Sequence, residues 1–218
     1  MIQVILEMAE DRAFLQDLWP IKKAVRYCWE QNVIVVTAMG NLNEKNNSVS
    51  TYFPARYPWT IAVGGTQKTN GKLQVWEHSG KGDYIDIVAP AKDIWVEFPS
   101  YLENKLRAQK AFGNSLAAGL VSGASALILS AMKEETKAQL KSQPGKLCEK
   151  VRSIMRDTAS NEVLGFNLPN PLSGYGLIEI SKAVLLSKAQ KTLKLPEDRH
   201  SNRAFLLDAC VFLNTLSR

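Results

Sequence analysis

A serine lies at the start of a long apolar run, in a position where its hydroxyl could act as a nucleophile. The run FGNSLAAGLVSGASALILSAM covers residues 112–132 and carries Ser115 directly after Gly113 and Asn114. The small and apolar residues from Leu116 onward favour a helix, so Ser115 falls where a loop meets the first helical turn. Backbone N–H groups lack helical partners at that end, and the helix dipole is positive there. A serine in this place could be a nucleophile whose attack creates an anion beside those donors.

Three other interpretations of the same run stay open. It is about as long as a membrane span, but its many Ala, Gly and Ser residues insert poorly, so we expect no membrane partner. A core helix explains the small residues better, because they would let neighbouring backbone approach on several sides. Ser115 could also be an ordinary N-cap, a position where serine is common. The residues that would allow close approach are Ala117, Gly119, Ser122, Gly123 and Ala124.

An asparagine and two histidines are the other residues that could take part in such chemistry. Asn41 closes VIVVTAMGN, in which the β-branched run at residues 33–36 is typical of a strand buried on both faces. Its amide could stabilise an oxyanion, although Gly-Asn after a strand is also a common turn. A serine nucleophile needs a base, and the sequence offers only His78 and His200.

The elements around these residues predict an α/β domain. A helix is expected at residues 20–32, with Pro20 in its first turn. Further helices are expected at residues 116–132 and 144–159, and a turn, short strand and last helix from Ser173 onward. The order of these elements favours a mostly parallel sheet with helices packed against it. Beyond the strand at 33–36, strands are expected at residues 59–66, 73–80, 84–90 and 93–99.

Composition narrows the class of protein further. The 218 residues are 45% hydrophobic and 22% charged, which suits one globular core. The net charge of +6 comes from scattered basic residues, so we expect no nucleic-acid partner. Three widely spaced cysteines match neither a disulfide framework nor a zinc site, and we expect them to be small buried residues. They are Cys28, Cys148 and Cys210.

Neither a metal nor a targeting segment is expected. No acidic cluster marks a calcium site, so we predict no cofactor. The start MIQVILEMAEDRAFLQDLW lacks a basic leader, and acidic residues interrupt its apolar run. The chain is therefore expected to be intracellular as written, or to lack its true beginning.

Five segments, in order, resemble segments of the subtilisin-like serine proteases, the subtilases. VIVVTAMGN resembles a strand that ends Ala-Ala-Gly-Asn. YFPARYPWTIAVGGT is similar to Tyr-Pro-Ala-x-Tyr-Pro-x-Val-Ile-Ala-Val-Gly-Ala, and YIDIVAPAKDIW to Asp-Val-x-Ala-Pro-Gly-x-x-Ile. GNSLAAGLVSGASALIL resembles Gly-Thr-Ser-Met-Ala-x-Pro-His-Val-x-Gly-x-x-Ala-Leu, and SGYGLIEISKAV resembles Gly-Tyr-Gly-Leu-Ile-Asn-Val-x-x-Ala. The resemblance covers residues 20–186 and departs from the serine pattern at Asn114, Leu116, Gly119 and Leu120.

The resemblance implies a subtilisin-like α/β fold, with a mostly parallel sheet and helices on both faces. It makes Ser115 the nucleophile, and it makes the Asn41 amide and the backbone N–H of Ser115 the oxyanion hole. One side of the specificity pocket would be formed by four residues, in which Met39 is bulkier than the usual alanine. These residues are Thr37, Ala38, Met39 and Gly40.

The family's aspartate and histidine have no counterparts in this sequence. Subtilases order their triad Asp, His, Ser, but no Asp-Ser/Thr-Gly segment precedes Pro20 and no His-Gly-x-His segment occurs. His78 lies in a loop that the family does not use for catalysis, and His200 follows everything that resembles the family. We therefore predict an N-terminal segment of unclear match (1–19), the C-terminal half of a subtilase catalytic domain (20–186) and a tail (187–218).

Three functions follow from this reading. The first is a serine endopeptidase acting on polypeptides, whose missing N-terminal half the full-length parent supplies. The second is a catalytically inactive homologue that binds peptides or partner proteins. The third is a small membrane or scaffold protein built around the helix at residues 116–132. Whether the chain is itself an enzyme depends on where a base for Ser115 comes from.

Overall fold

The computed structural model describes residues 2–4, 19–42, 53–100, 105–161 and 167–189. Within these ranges a first strand and a first helix are followed by six strands in succession and then by four helices. The strands are β1 (Ile2–Val4), β2 (Val35–Ala38), β3 (Thr60–Thr69), β4 (Lys72–Val75), β5 (Ile87–Pro90), β6 (Ile94–Ser100) and β7 (Lys105–Ala111). The helices are α1 (Trp19–Glu30), α2 (Asn114–Ala131), α3 (Glu134–Lys141), α4 (Lys146–Thr158) and α5 (Ile180–Ala189).

A mostly parallel sheet forms the centre of the described fold. Strand β2 pairs in parallel with β1 on one side and β3 on the other, and β5 pairs in parallel with β3. The outer end of β3 pairs with β4 in antiparallel fashion. Strands β6 and β7 form a separate antiparallel hairpin. The predicted α/β class with a mostly parallel sheet is therefore confirmed.

One face of the sheet is covered by helices. Alternate strand residues point to the same face, so Val36 and Ala38 of β2 share a core with Ile61 and Val63 of β3. Helices α2, α4 and α5 cover this core and pack against one another. The hydroxyl of Ser187 in α5 also donates to a backbone carbonyl of α2 at 2.8 Å. The helix that carries Ser115 is thus fixed both to the sheet and to α5.

The opposite face of the sheet has its own smaller core. Met39, Ala62 and Val88, which alternate with the residues of the first core, pack there with Ala55, Tyr84 and Ile85. Helix α1 adds Val25, which packs with Phe53 and Tyr57. Burial raises the pKa of Tyr57 to about 12. Both faces of the sheet are thereby shielded, as the unbroken apolar sequence of β2 predicts.

A buried ion pair joins the sheet to helix α4. Nε and Nη2 of Arg156 both donate to Oδ1 of Asp86, Nε at 3.0 Å, and the side chains are 9% and 2% exposed. The N–H of Ala62 in β3 donates to Oδ2 of Asp86 at 2.8 Å. The Arg156 guanidinium also lies over the ring of Tyr175, 4.7 Å from its centroid. One carboxylate therefore connects β3, the segment before β5 and the last turn of α4.

Helix α2 differs from the sequence-based expectation on its outer side. Ala117, Val121 and Ile128 are fully buried against the sheet, which confirms a core helix on that side. Leu120 and Leu127, in contrast, are 40% and 53% exposed. Gly123, expected to admit neighbouring backbone, is exposed, and a β-carbon built there would meet nothing within 4 Å. The helix is long and apolar enough to cross a membrane by length and composition alone.

Several local expectations need correction. The strand expected at residues 73–80 ends at Val75, and the strand expected from residue 84 begins at Ile87. Strands β1 and β7 and helix α3 had not been expected as separate elements. Cys148 is buried as predicted, but Cys28 is only half-buried because it lies on the peripheral helix α1. Cys210, His200 and most of the predicted tail lie outside the described residues.

Candidate active site

Helix α2 begins directly beside the candidate nucleophile. Its N-cap is Gly113, which has no side chain of its own to cap the first turn. Ser115 is therefore the second residue of the helix and is half-buried, so the interpretation of Ser115 as an N-cap is wrong. Gly113 has φ +144°, a conformation that residues with a β-carbon rarely adopt. A glycine is therefore needed two residues before the serine to turn the chain into the helix.

Asn41 lies beyond the carboxyl end of β2, next to the start of α2. The backbone N–H of Asn114 donates to Oδ1 of Asn41 at 3.0 Å. This bond fixes which end of the amide faces α2, and it leaves Nδ2 as the donor end. Asn41 also forms an isolated antiparallel bridge with Ser79. A bond spanning 73 residues thus brings the two predicted site residues, Asn41 and Ser115, to the same place.

Gly113 provides a reference point for the donors of this site. A β-carbon built on Gly113 would lie 3.7 Å from Nδ2 of Asn41 and 3.9 Å from the backbone nitrogen of Ser115. An amide donor and a backbone nitrogen at a helix N-terminus therefore flank one small volume. Two such donors can stabilise the oxyanion that forms when a hydroxyl attacks a peptide carbonyl.

A hydrogen-bond network that the sequence did not reveal holds Gly40, the residue before Asn41, in place. The carbonyl of Gly40 accepts from Nδ2 of Asn114 at 2.5 Å and from the N–H of Gly80 at 3.1 Å. Nδ2 of Asn114 also lies 3.3 Å from Oγ of Ser79. That hydroxyl in turn accepts from the N–H of Gly65 at 2.9 Å. In the sequence, only the replacement of the family's threonine by Asn114 marks this network.

The four predicted pocket residues are all buried. Thr37 and Ala38 belong to β2, and the hydroxyl of Thr37 donates to the Ile61 carbonyl at 3.4 Å. The Met39 side chain is fully enclosed in the core on the second face of the sheet. Gly40 offers its carbonyl to the network beneath Asn41. Any contact of this segment with a peptide would therefore come from its backbone, and the pocket itself stays a prediction.

His78 lies near the site but contacts other groups. Its ring packs edge-on against the buried ring of Trp76, with centroids 5.5 Å apart, and its Nε2 is 3.9 Å from a carboxylate oxygen of Glu77. Trp76 also contacts Phe112, which precedes α2. The His78 carbonyl accepts from the N–H of Leu42, the residue after Asn41. His78 is thus close to the site through its backbone, while its ring is directed toward Trp76.

The described residues contain no group of three or more His, Cys, Asp or Glu that could hold a metal ion. Clearly shifted pKa values occur on α4 and at Tyr57. Burial raises the pKa of the Cys148 thiol to about 12, with Arg152 opposing the shift. Burial also lowers the pKa of Lys150, opposed by Asp157, and raises the pKa of Asp157, opposed mainly by Lys150.

A parallel sheet, a serine in the first turn of its central helix and an asparagine amide beside it together define a candidate serine hydrolase site. The model of the subtilase family, peptidase S8, matches residues 13–176. The chain belongs to the subtilase family.

Individual relatives agree with this assignment. Subtilisin DY of Bacillus licheniformis is 28% identical over 163 residues, which cover 75% of this chain and 51% of that protein. The major intracellular serine protease of Bacillus subtilis (strain 168) is 32% identical over 165 residues, covering 72% and 48%. The chain thus spans about half the length of these curated relatives.

Solved structures show the same fold. Fervidolysin from Fervidobacterium pennivorans, a keratinolytic enzyme related to subtilisin, superposes with a TM-score of 0.63 at 22% identity, over 82% of this chain and 25% of that chain. A lanthipeptide protease superposes with a TM-score of 0.63 at 20% identity, over 84% of this chain and 61% of that chain. The expected subtilisin-like fold is therefore confirmed.

Proposed function

We propose that this chain is the serine-bearing part of a subtilisin-like endopeptidase that hydrolyses peptide bonds through an acyl-enzyme. The hydroxyl of Ser115 attacks the scissile carbonyl, and a base takes its proton. The oxyanion accepts from Nδ2 of Asn41 and the N–H of Ser115. The C–N bond then breaks, the base returns the proton to the leaving amine, and water hydrolyses the ester. No cofactor takes part in these steps.

The observation that carries this proposal is the bond from the Asn114 N–H to Oδ1 of Asn41. It orients the amide so that its donor end lies close to Gly113 and the start of α2. In serine hydrolases, a donor of this kind contributes about 3–4 kcal/mol to the stability of the transition state.

The base is proposed to come from residues outside this sequence. The chain has two histidines, and the described contacts of the His78 ring are with Trp76 and Glu77. The outer side of α2 supports a further covering segment, because Leu120 and Leu127 expose an apolar strip on the helix that carries Ser115. Since the chain spans about half of its relatives, the rest of a subtilase domain is the proposed occupant of that strip.

An inactive homologue that binds peptides is the second candidate function. It is favoured by the absence of an Asp-Ser/Thr-Gly or His-Gly-x-His segment from the sequence. In this case Asn41 and Ser115 would bind a peptide carbonyl without attacking it. The two candidates differ in one measurable property, the nucleophilicity of the Ser115 hydroxyl.

Covalent labelling with a fluorophosphonate probe separates the two functions. The chain of residues 1–218 would be tested beside Ser115→Ala, with Ser130→Ala as a matched control at the exposed end of the same helix. The coding sequence upstream of Met1 would be read for the two missing segments, and any longer product would be labelled in the same way. We expect no labelling of residues 1–218 alone and Ser115-dependent labelling of the longer product.

Other outcomes contradict specific parts of the proposal. Ser115-dependent labelling of residues 1–218 alone would show a base within this chain, and His78→Ala would then test whether it is His78. A longer product that carries both missing segments but stays unlabelled would refute the endopeptidase. Binding of fluorescein-labelled casein peptides without labelling would support the inactive homologue.

A further inference from the structure

Gly65, Ala91 and Asn114 pack against one another near the start of α2, and the space between them is too small for a further methyl group. A β-carbon built on Gly65 of β3 would overlap Oδ1 of Asn114 and would lie 2.5 Å from the β-carbon of Ala91. The same β-carbon would lie 3.3 Å from the ring of Trp76. Ala91 is tied to the neighbourhood by its backbone, because the Gly113 N–H donates to its carbonyl at 2.7 Å. Only a glycine therefore fits at position 65 while Ala91 and Asn114 are present.

The same three positions depart from the subtilase patterns. The segment ending Ala-Val-Gly-Ala places alanine where this chain has Gly65, and Ala-Pro-Gly places glycine where it has Ala91. Gly-Thr-Ser places threonine where it has Asn114. Relative to the family patterns, this chain lacks a methyl group at position 65, has one at position 91, and carries a longer side chain at position 114. Because these groups meet in space, the three departures depend on one another.

Asn114 fills this space and makes hydrogen bonds to Asn41, the candidate oxyanion donor, and to Gly40. Its Nδ2 donates to the Gly40 carbonyl at 2.5 Å, and its backbone N–H donates to Oδ1 of Asn41 at 3.0 Å. Its own Oδ1 is buried without a hydrogen-bond partner in the described part of the chain. A buried acceptor without a partner is costly, so the amide is held in place by what its NH₂ end binds. A threonine hydroxyl has a single hydrogen to donate and is shorter.

We propose that Asn114 is a positioning residue for Asn41, and that Gly65 and Ala91 are the matching changes that make room for it. The Asn114 side chain contributes the tether to Gly40, which holds the residue before Asn41 against the start of α2. The bond to Asn41 itself comes from the backbone N–H of position 114. This role gains catalytic meaning from the proposed endopeptidase function, on which it rests. The packing and the orientation of Asn41 can be measured without any catalysis.

The test is a mutant cycle in the chain of residues 1–218. The variants are Gly65→Ala, Asn114→Thr and the triple variant that adds Ala91→Gly to both. Gly123→Ala is the matched control, since a β-carbon there meets nothing within 4 Å. Urea unfolding, followed by tryptophan fluorescence, reports stability. The side-chain ¹⁵N–¹H resonances of Asn41, assigned with Asn41→Ser, report its orientation.

We expect Gly65→Ala to lower the urea midpoint strongly and the triple variant to regain most of that loss. Asn114→Thr should shift or broaden the Asn41 side-chain resonances, which Gly123→Ala leaves in place. The inference is overturned if Gly65→Ala unfolds at the same midpoint as Gly123→Ala, or if the triple variant is no more stable than Gly65→Ala. Unchanged Asn41 resonances in Asn114→Thr would overturn the positioning role. A lack of fluorophosphonate labelling would bear on the proposed function alone.

Discussion

Removing Arg156 is a direct test of how the sheet and helix α4 are held together. Its guanidinium donates two hydrogen bonds to one carboxylate oxygen of Asp86, in a site where both side chains are almost fully buried. Arg156→Met keeps an apolar side chain of similar length but removes both donors. The Asp86 carboxylate then remains buried without its cation.

The size of the effect follows from these contacts. A hydrogen bond to a charged group contributes about 1.5–3 kcal/mol, and two are lost. Breaking a buried ion pair from one side costs about 3–5 kcal/mol, which agrees with that sum. We therefore expect Arg156→Met to lower the free energy of unfolding by about 3–5 kcal/mol at pH 7.

Urea denaturation of a double-mutant cycle would measure this loss. The cycle combines Arg156→Met with Asp86→Asn, and the double variant should be less destabilised than the sum of the two single variants. Arg26→Met is the matched control, because its pair with Glu30 lies on the exposed surface of α1 and should contribute less than about 1 kcal/mol. A loss for Arg156→Met no larger than that of Arg26→Met would refute this account of the ion pair.

Three further predictions concern glycines and cysteines. Gly80→Ala should lower the free energy of unfolding by about 1–3 kcal/mol or more, because the new methyl would overlap the Met39 carbonyl. Gly123→Ala should instead raise the free energy of unfolding by about 0.5–1 kcal/mol through helix α2. Equal urea midpoints for the two variants would contradict this prediction. The Cys148 thiol has a pKa of about 12 when folded and 9.0 when unfolded, so the unfolded state loses the proton first as pH rises. The Cys148 thiol should therefore contribute a fall of about 1.4 kcal/mol in the free energy of unfolding between pH 8 and pH 10. Cys148→Ala should lack this part of the decrease, which urea titrations of both chains at both pH values would measure. Iodoacetamide should alkylate the half-buried Cys28 in the native chain well before Cys148, and mass spectrometry showing the reverse order would contradict the described burial.

The main elements of the fold could be predicted because their residues carry strong periodic patterns. The β-branched run in β2 and the apolar stripe on α4, which includes Val151 and Ile154, follow the periods of a strand and a helix. Helix α3 buries none of its residues, and β7 has a mixed polar sequence, so neither carries such a pattern. Strand β7 exists through its pairing with β6, which is a tertiary effect.

The site could be predicted only in part, for a related reason. Family resemblance named Asn41 and Ser115, and the structure brings the segments that carry them together. The roles of Ser79, Gly80 and Gly65 depend on contacts between segments far apart in sequence. The outer side of α2 was misjudged because an apolar sequence shows that a face can be buried, whereas exposure depends on what else is present.

The bond between Asn114 and Asn41 also bears on when the site forms during folding. It joins residues 73 positions apart, whereas the hydrogen bonds within α2 join residues four positions apart. Contacts between distant residues require the chain to close a long loop first, so they form late relative to local helix. Helix α2 can therefore be present in a partly folded chain whose oxyanion donors have not yet met. Circular dichroism of such a chain would report helix without reporting a formed site, and only a probe at Asn41 would distinguish the two states.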